Sequence, residues 1–238
     1  MAGFKGAIFD MDGTLVESMI EWRKQNIAFA KRYNIEIPEE FRGKELETSS
    51  HKACKIYAEL HPELGMTADE IEREYERALL PIYCNEVQKK KGVVPFLEML
   101  KANGVKMCVA TATSTPIAKK ALEAHGLLKY MEFVVSSPDM GMSKANPTYF
   151  PRVADMLGID KDDCAVFEDA RYAVQSAHTA GMRVFAVEDW CARESWDEIK
   201  KMAVVFRKDY EGLLPVVNAM FMADRCCTMQ LAGENCRF

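Results

Sequence analysis

The sequence has no apolar run approaching the roughly 18 residues that a membrane-spanning helix needs. Its first stretch, MAGFKGAIFDMDGT, reaches acidic residues too soon for a secretory signal. A cytoplasmic protein without a membrane partner is expected. There is no excess of positive charge: 31 Lys and Arg stand against 36 Asp and Glu, for a net charge of −5. Nucleic acid calls for a basic face, so no nucleic-acid partner is expected. Glycine (13) and proline (9) are few and no repeat or low-complexity segment occurs, which excludes collagen-like and disordered chains. Eight cysteines are present, at 54, 84, 108, 164, 191, 226, 227 and 236, but none forms a C-x-x-C pair with zinc-ligand spacing. In a reducing compartment they imply no disulfide framework, and Cys108 and Cys164, inside apolar runs, are expected in the core.

What is present is an ordinary globular composition, 49% hydrophobic and 28% charged over 238 residues, enough for one main domain and a smaller one. Short apolar runs at Lys5–Met11, Val105–Ala110, Phe133–Ser136, Cys164–Phe167 and Arg183–Val187 alternate with helical stretches, the pattern of βαβ units on a parallel sheet. The helices carry their own punctuation. Thr115 is placed to cap a helix with Pro116 in its first turn and Gly126 past its end, and the helix through Ser176–Ala180 stops at Gly181. The fold class is therefore α/β, a Rossmann-like doubly wound parallel sheet.

From Ser18 to Lys91 no strand-like run occurs, a span too long for a simple crossover. Met19, Trp22, Phe29 and Tyr33 form one apolar stripe at helical spacing. Thr67-x-x-Glu70 makes a capping box ahead of a second, Ile71, Tyr75, Ala78 and Ile82. These stripes are expected to be helix-packing faces. The expected organisation is a discontinuous core of residues 1–17 and 89–220, an inserted all-helical domain over 18–88, and a C-terminal tail over 221–238 that holds three cysteines. Within the insertion Arg42, Lys44, Lys52 and Lys55 outnumber Glu45 and Glu47, a local surplus that reads first as a solvated helix face and second as an attraction for an anionic substrate.

The chemistry gathers at strand ends. The first strand runs into Phe9-Asp10-Met11-Asp12-Gly13-Thr14-Leu15-Val16, so two carboxylates two residues apart start on the same side at the edge where such sheets bind ligands. Acids so close need a cation, a proton, or a sharp bend, and Gly13 supplies a bend. The next strand ends in Thr111-Ala112-Thr113 at a helix start, where N–H groups and a hydroxyl can hold phosphate oxygens. Lys144 precedes another helix, where an ammonium can offset phosphoryl charge. A fourth strand ends in Glu168-Asp169, hard oxygen ligands suited to Mg²⁺.

Those residues, in that order, resemble the haloacid dehalogenase-like superfamily, and within it the β-phosphoglucomutase-like and phosphoglycolate-phosphatase-like branch. The similarity covers about residues 5–210. D-x-D-G-T-L-V at Asp10–Val16 is its most specific element, and Gly92-Val93 and Ala180-Gly181-Met182 fall in family order. The resemblance implies that Asp10 is the nucleophile that becomes an aspartyl phosphate and Asp12 the general acid/base. Thr111, Ala112 and Lys144 would bind the transferring phosphoryl group. Asp10, Glu168 and Asp169, with the backbone carbonyl of Asp12, would hold Mg²⁺. The region 18–88 would be a cap that contacts the leaving group through Trp22, Arg42 or Lys44. An aspartate at position 12 separates phosphatases and mutases from dehalogenases, which lack it and need no metal.

Four departures stand out. The usual K-P-x-P-D reads Lys144-Ala145-Asn146-Pro147-Thr148, and Pro151 is expected to disturb the first turns of the helix that follows. The usual D-S-x-x-G reads Asp169-Ala170-Arg171-Tyr172-Ala173. The frequent D-[ST]-E reads Glu17-Ser18-Met19. Trp22 stands where the mutases carry histidine, which favours a hydrolase. The expectation is a Mg²⁺-dependent phosphatase, a monomer acting on a small phosphomonoester; a sugar-phosphate mutase and a catalytically silent metabolite-binding protein are the alternatives.

Overall fold

The computed structural model describes residues 3–37 and 50–231 of the chain, so Arg42 and Lys44 lie outside the described residues. Six strands, β1 (Gly6–Phe9), β2 (Lys106–Thr111), β3 (Val134–Ser136), β4 (Cys164–Glu168), β5 (Arg183–Val187) and β6 (Val205–Arg207), form one sheet in the order β3-β2-β1-β4-β5-β6. Every pairing is parallel, with Phe9 opposite Val109 on one side and Phe167 on the other. The first five strands lie on the expected apolar runs. β6 was not expected: it is a three-residue edge strand whose short apolar run, residues 203–206, follows α9 directly with no Gly or Pro between them.

Among the described residues of the insertion after β1 there are three α-helices: α1 (Met19–Tyr33), α2 (Ser50–Leu60) and α3 (Ala68–Asn85). They are followed by α4 (Val93–Ala102), α5 (Thr115–Ala124), the one-turn α6 (Ser137–Met140), α7 (Tyr149–Leu157), α8 (Arg171–Thr179), α9 (Trp196–Met202) and α10 (Tyr210–Leu231). Side chains alternate across the buried strands, as the pleat requires. Ala7, Phe9, Met107, Val109, Ala165 and Phe167 enter the core shared with α4, α5 and α10. Ile8, Cys108, Ala110, Cys164 and Val166 enter the one shared with α7, α8 and α9. Phe9, Phe167 and Phe185 stack across three neighbouring strands at 4.5 and 5.2 Å between centroids. Truncating the middle ring, Phe167, would cost about 3–5 kcal/mol through lost burial and the cavity left behind.

Helices α1–α3 have a small core of their own, Phe29, Cys54, Tyr57, Ile71 and Tyr75, and form the inserted helical cap. The Thr67–Glu70 capping box is present and starts α3. Leu79, Tyr83 and Val87 leave that core and join the sheet's, so the end of α3 is packed onto the main body near α5. The two chain crossings between cap and sheet lie side by side: Glu17 N–H donates to the Gln88 carbonyl at 2.8 Å and Lys90 N–H to the Leu15 carbonyl at 2.9 Å.

Three expectations are corrected. Ser114, not Thr115, occupies the N-cap of α5; Thr115 is its first residue and donates its hydroxyl to Asp139. Pro151 does not disturb α7. It is the third residue after the cap Thr148, and a helix has no intrahelical acceptor for the N–H of its first turn. Residue 221 opens no tail, because α10 continues through Leu231 and buried Phe221 packs edge-on against Phe4 at 5.2 Å.

Gly92, which caps α4 at φ +77°, is required by space as well as by its backbone. A Cβ there would lie 2.6 Å from the Glu211 backbone nitrogen at the start of α10.

Candidate active site

From β1 the strand order runs outward one way through β2 and β3, and the other way through β4, β5 and β6. The sheet therefore has its topological switch point between β1 and β4, and an open α/β sheet binds ligands at the carboxyl ends there. Asp10 follows β1 directly, its N–H continuing the ladder to the Phe167 carbonyl at 3.0 Å. Glu168 ends β4 and Asp169 follows it. After Asp10 the chain turns tightly: Leu15 and Val16 N–H both donate to the Met11 carbonyl, and Gly13 N–H donates to that of Val16. Gly13 sits at φ +81°, and a Cβ on it would lie 2.4 Å from Asp169 Oδ2. The turn parts the two aspartates, which end with different partners while lining one cavity.

Lys144 is fully enclosed. Its ammonium is 2.6 Å from Asp10 Oδ1, meets Glu168 Oε1, and lies 5.7 Å over the Phe150 ring. Glu168 Oε2 is occupied by the Asp169 and Ala170 N–H groups at 2.8 and 2.9 Å, and Asp169 Oδ1 accepts the Thr14 hydroxyl at 2.8 Å. Two of the three buried carboxylates, Asp10 and Glu168, thus share the Lys144 ammonium. Burial, with Glu168 and Asp12 beside it, pushes the Asp10 carboxyl up to about 8 despite Lys144. Burial next to Glu168, Asp189 and Asp10 likewise raises Asp169 well above the usual carboxylate range. Burial alone would lower Lys144, but Asp10 and Glu168 hold it charged. Oxygens of Asp10, Glu168 and Asp169 lie within 4.8 Å of one another. An all-oxygen, under-neutralised trio of this size suits a hard divalent cation such as Mg²⁺.

The Asp12 carboxylate is not part of that trio. Oδ1 accepts the Ser18 hydroxyl at 2.5 Å and the Tyr83 hydroxyl, and Oδ2 accepts the Thr113 hydroxyl at 2.7 Å. Trp22 Nε1–H donates to the Tyr83 oxygen at 2.8 Å. One aspartate is thus gripped by the first and third cap helices and by the end of β2. Burial and the Asp12 charge raise the Tyr83 phenol well above its ordinary value, so it stays a donor.

The expected site residues fall into three groups. Asp10, Asp12, Ala112, Lys144, Glu168, Asp169 and Trp22 line one cavity. Thr111 is buried at the end of β2, its hydroxyl oxygen accepting the Thr113 N–H at 3.1 Å. Arg42 and Lys44 fall outside the described residues. The expectation that the cap stripes are packing faces holds for Phe29, Ile71 and Tyr75; Tyr75 and Trp22 pack on the cap's core and also line the cavity, and Met19 lines it, together with Asn26 and Tyr57. The N-terminal half of α1 points down at the acids, so its stripe faces a void before it reaches the cap's own core. Tyr83 and Thr113 are functional neighbours that the sequence did not single out. The one signal for Tyr83 was its place eight residues after Tyr75 on the same helix face.

The model of the haloacid dehalogenase-like hydrolase family matches residues 7–187. Hexitol phosphatase A of Escherichia coli is 30% identical over 190 residues, spanning 77% of this chain and 82% of that protein. Fructose-1-phosphate phosphatase YqaB of the same organism is 26% identical over 185 residues, 75% and 94% of the two chains. Among solved structures, a hydrolase from Pseudomonas syringae superposes with a TM-score of 0.73 at 22% identity, covering 91% of this chain and 99% of that one. A putative β-phosphoglucomutase from Thermotoga maritima gives 0.66 at 22% identity, covering 91% and 100%. With its family match running across β1 to β5 and the acids at their ends, the chain belongs to the haloacid dehalogenase-like hydrolases.

Proposed function

We propose that the chain is a Mg²⁺-dependent phosphatase that hydrolyses a small phosphorylated metabolite through a phosphorylated Asp10. The observation that carries the reading is the pairing of a buried Asp10 with Lys144 at 2.6 Å, at the switch point and within a trio of acids. The similarity to phosphatases named for hexitol and fructose-1-phosphate substrates supports it. In this reading residues 1–17 and the chain from 89 through α10 are the working core and 18–88 the cap that covers it.

Lys144 holds Asp10 Oδ1 and neutralises it, which leaves Oδ2 to attack phosphorus. The Asp10–phosphorus bond forms as the bond to the leaving oxygen breaks, and Asp12 gives that oxygen its proton. Water then attacks the phosphorus, Asp12 takes the water's proton, and inorganic phosphate leaves with Asp10 regenerated. Ala112 and Thr113, which line the cavity ahead of α5, would face the phosphoryl oxygens, while buried Thr111 holds the Thr113 N–H from below. Trp22 and Met19 shield the pocket from bulk water. Mg²⁺, held by Asp10, Glu168, Asp169 and the Asp12 carbonyl, would offset charge on the transferring group.

Hydrolysis is favoured over mutase chemistry because the cap side chains nearest the acids are Met19 and Trp22, with Asn26 one helical turn farther away. Those offer one indole N–H, already given to Tyr83, to orient a second hydroxyl. The test is a phosphate-release screen over phosphomonoesters with Mg²⁺ and with EDTA, followed by ³¹P NMR for phosphate migration. Release of free phosphate only with Mg²⁺ is expected. Interconversion of sugar 1- and 6-phosphates with little free phosphate would overturn the reading.

A further inference from the structure

We infer that Asn26 is a specificity-determining residue, its side-chain amide N–H₂ donating to a hydroxyl or carbonyl oxygen on the substrate's leaving group; this rests on the phosphatase reading above. Asn26 lies on α1, four residues beyond Trp22 and seven beyond Met19, and therefore on the same face. All three line the cavity that Asp10 and Asp12 line at its floor. One helical turn separates Trp22, beside the acids, from Asn26, so the amide stands about 6 Å farther along the helix from the reacting phosphorus. That is the reach of a several-atom leaving group.

The orientation of the amide is set by its neighbours. Tyr57 and Tyr75 both donate their hydroxyls to Asn26 Oδ1, at 2.9 and 2.8 Å. Burial lifts the Tyr75 phenol well above its ordinary value, so it remains a donor. With its oxygen doubly engaged by donors from α2 and α3, the amide must turn its nitrogen the other way. That nitrogen has no acceptor among the described residues. A buried amide donor held open to a cavity by two tyrosines is an unfilled hydrogen bond, and a ligand that lacks an acceptor leaves it so. The surroundings define the rest of the ligand. Trp22 and Tyr75 stack at 6.4 Å, and among the described residues the cap wall of the cavity has no charged side chain. The leaving group that fits is uncharged, presents an aliphatic or ring face to the aromatics and an oxygen to Asn26, as a phosphorylated polyol or sugar does.

The experiment compares esters that share a phosphate and differ in that oxygen. Fructose 1-phosphate, sorbitol 6-phosphate and glycerol 1-phosphate carry hydroxyl oxygens; phenyl phosphate carries none beyond the ester oxygen. Wild type, Asn26→Leu and Asn26→Asp are assayed with Mg²⁺, with melting curves as the fold control. For whichever hydroxyl-bearing ester wild type prefers, both variants are expected to lose about tenfold in kcat/KM, mostly in KM, while phenyl phosphate changes less than about twofold. If Asn26→Leu fails to fold, Asn26→Asp carries the test, since its carboxylate still accepts both tyrosine hydroxyls. Equal losses on all esters, no loss on any, or a wild-type preference for phenyl phosphate would overturn the inference. Inertness of wild type toward all four esters would instead overturn the phosphatase reading, and the inference with it.

Discussion

Replacing Lys144 by methionine removes the cation that Asp10 and Glu168 share while nearly keeping its volume. The ammonium is fully enclosed, 2.6 Å from Asp10 Oδ1 and in contact with Glu168 Oε1, with neither carboxylate open to solvent. Breaking a buried pair from one side leaves a charge without compensation and costs about 3–5 kcal/mol. For a chain of this size each kcal/mol moves Tm by roughly 2–4 °C, so a fall of about 6–20 °C is expected in metal-free buffer near pH 8.5. The pH dependence has a definite sign. Asp10 is raised in the folded state to about 8, so the stability it contributes is full below its unfolded value near 4 and is lost as pH climbs through about 8. Wild type therefore weakens across that window, and the variant weakens more, because the acids it has stranded must ionise without a partner. Near pH 5 protons replace the missing ammonium and the difference between the proteins shrinks. Differential scanning fluorimetry in EDTA at both pH values reads this directly. An unchanged Tm near pH 8.5, or a difference of the same size at both pH values, would refute the reasoning.

The trio's raised acids, Asp10 and Asp169, must shed protons to take up a cation, so millimolar Mg²⁺ should raise Tm more near pH 8 than near pH 6; titrations followed by fluorimetry would show it. Tyr83→Phe removes a donor to Asp12 and the acceptor of the Trp22 indole, and should lower kcat roughly tenfold with little change in KM while costing about 1–3 kcal/mol of stability. Steady-state kinetics and denaturant melts check both parts. Asp169→Ala should abolish the Mg²⁺-dependent rise in Tm. Glu168→Ala should lower stability more, since both Glu168 oxygens are already used to hold Lys144 and the Asp169–Ala170 backbone.

The sheet was legible because its inner strands are buried on both faces and must be nearly continuous apolar runs, as at Cys164–Phe167. β6 was not, because its short apolar run, residues 203–206, follows α9 with no turn residue to separate strand from helix. The acids on the floor of the candidate site were legible for a related reason: carboxylates directly after apolar strands are costly there and stand out. The cap wall was not. Asn26, Tyr57, Tyr75 and Tyr83 lie on helix faces whose spacing is that of core packing, and only the tertiary placement of α1–α3 decides which turns meet the cap's own core and which meet the cavity. The grip on Asp12 by Ser18, Tyr83 and Thr113 joins residues up to 101 positions apart, beyond any periodicity.

The central claim is that Asp10 accepts the phosphoryl group. Wild type and Asp10→Asn, incubated with Mg²⁺ and a ³²P-labelled ester that wild type hydrolyses, are quenched in acid during turnover and their peptides mapped. The account predicts label on the peptide containing Asp10 in wild type, released by hydroxylamine as an acyl phosphate must be, and neither label nor phosphate release from Asp10→Asn, whose amide keeps the shape without the nucleophile. Hydrolysis by Asp10→Asn at a rate comparable to wild type, or label on another residue, would contradict it.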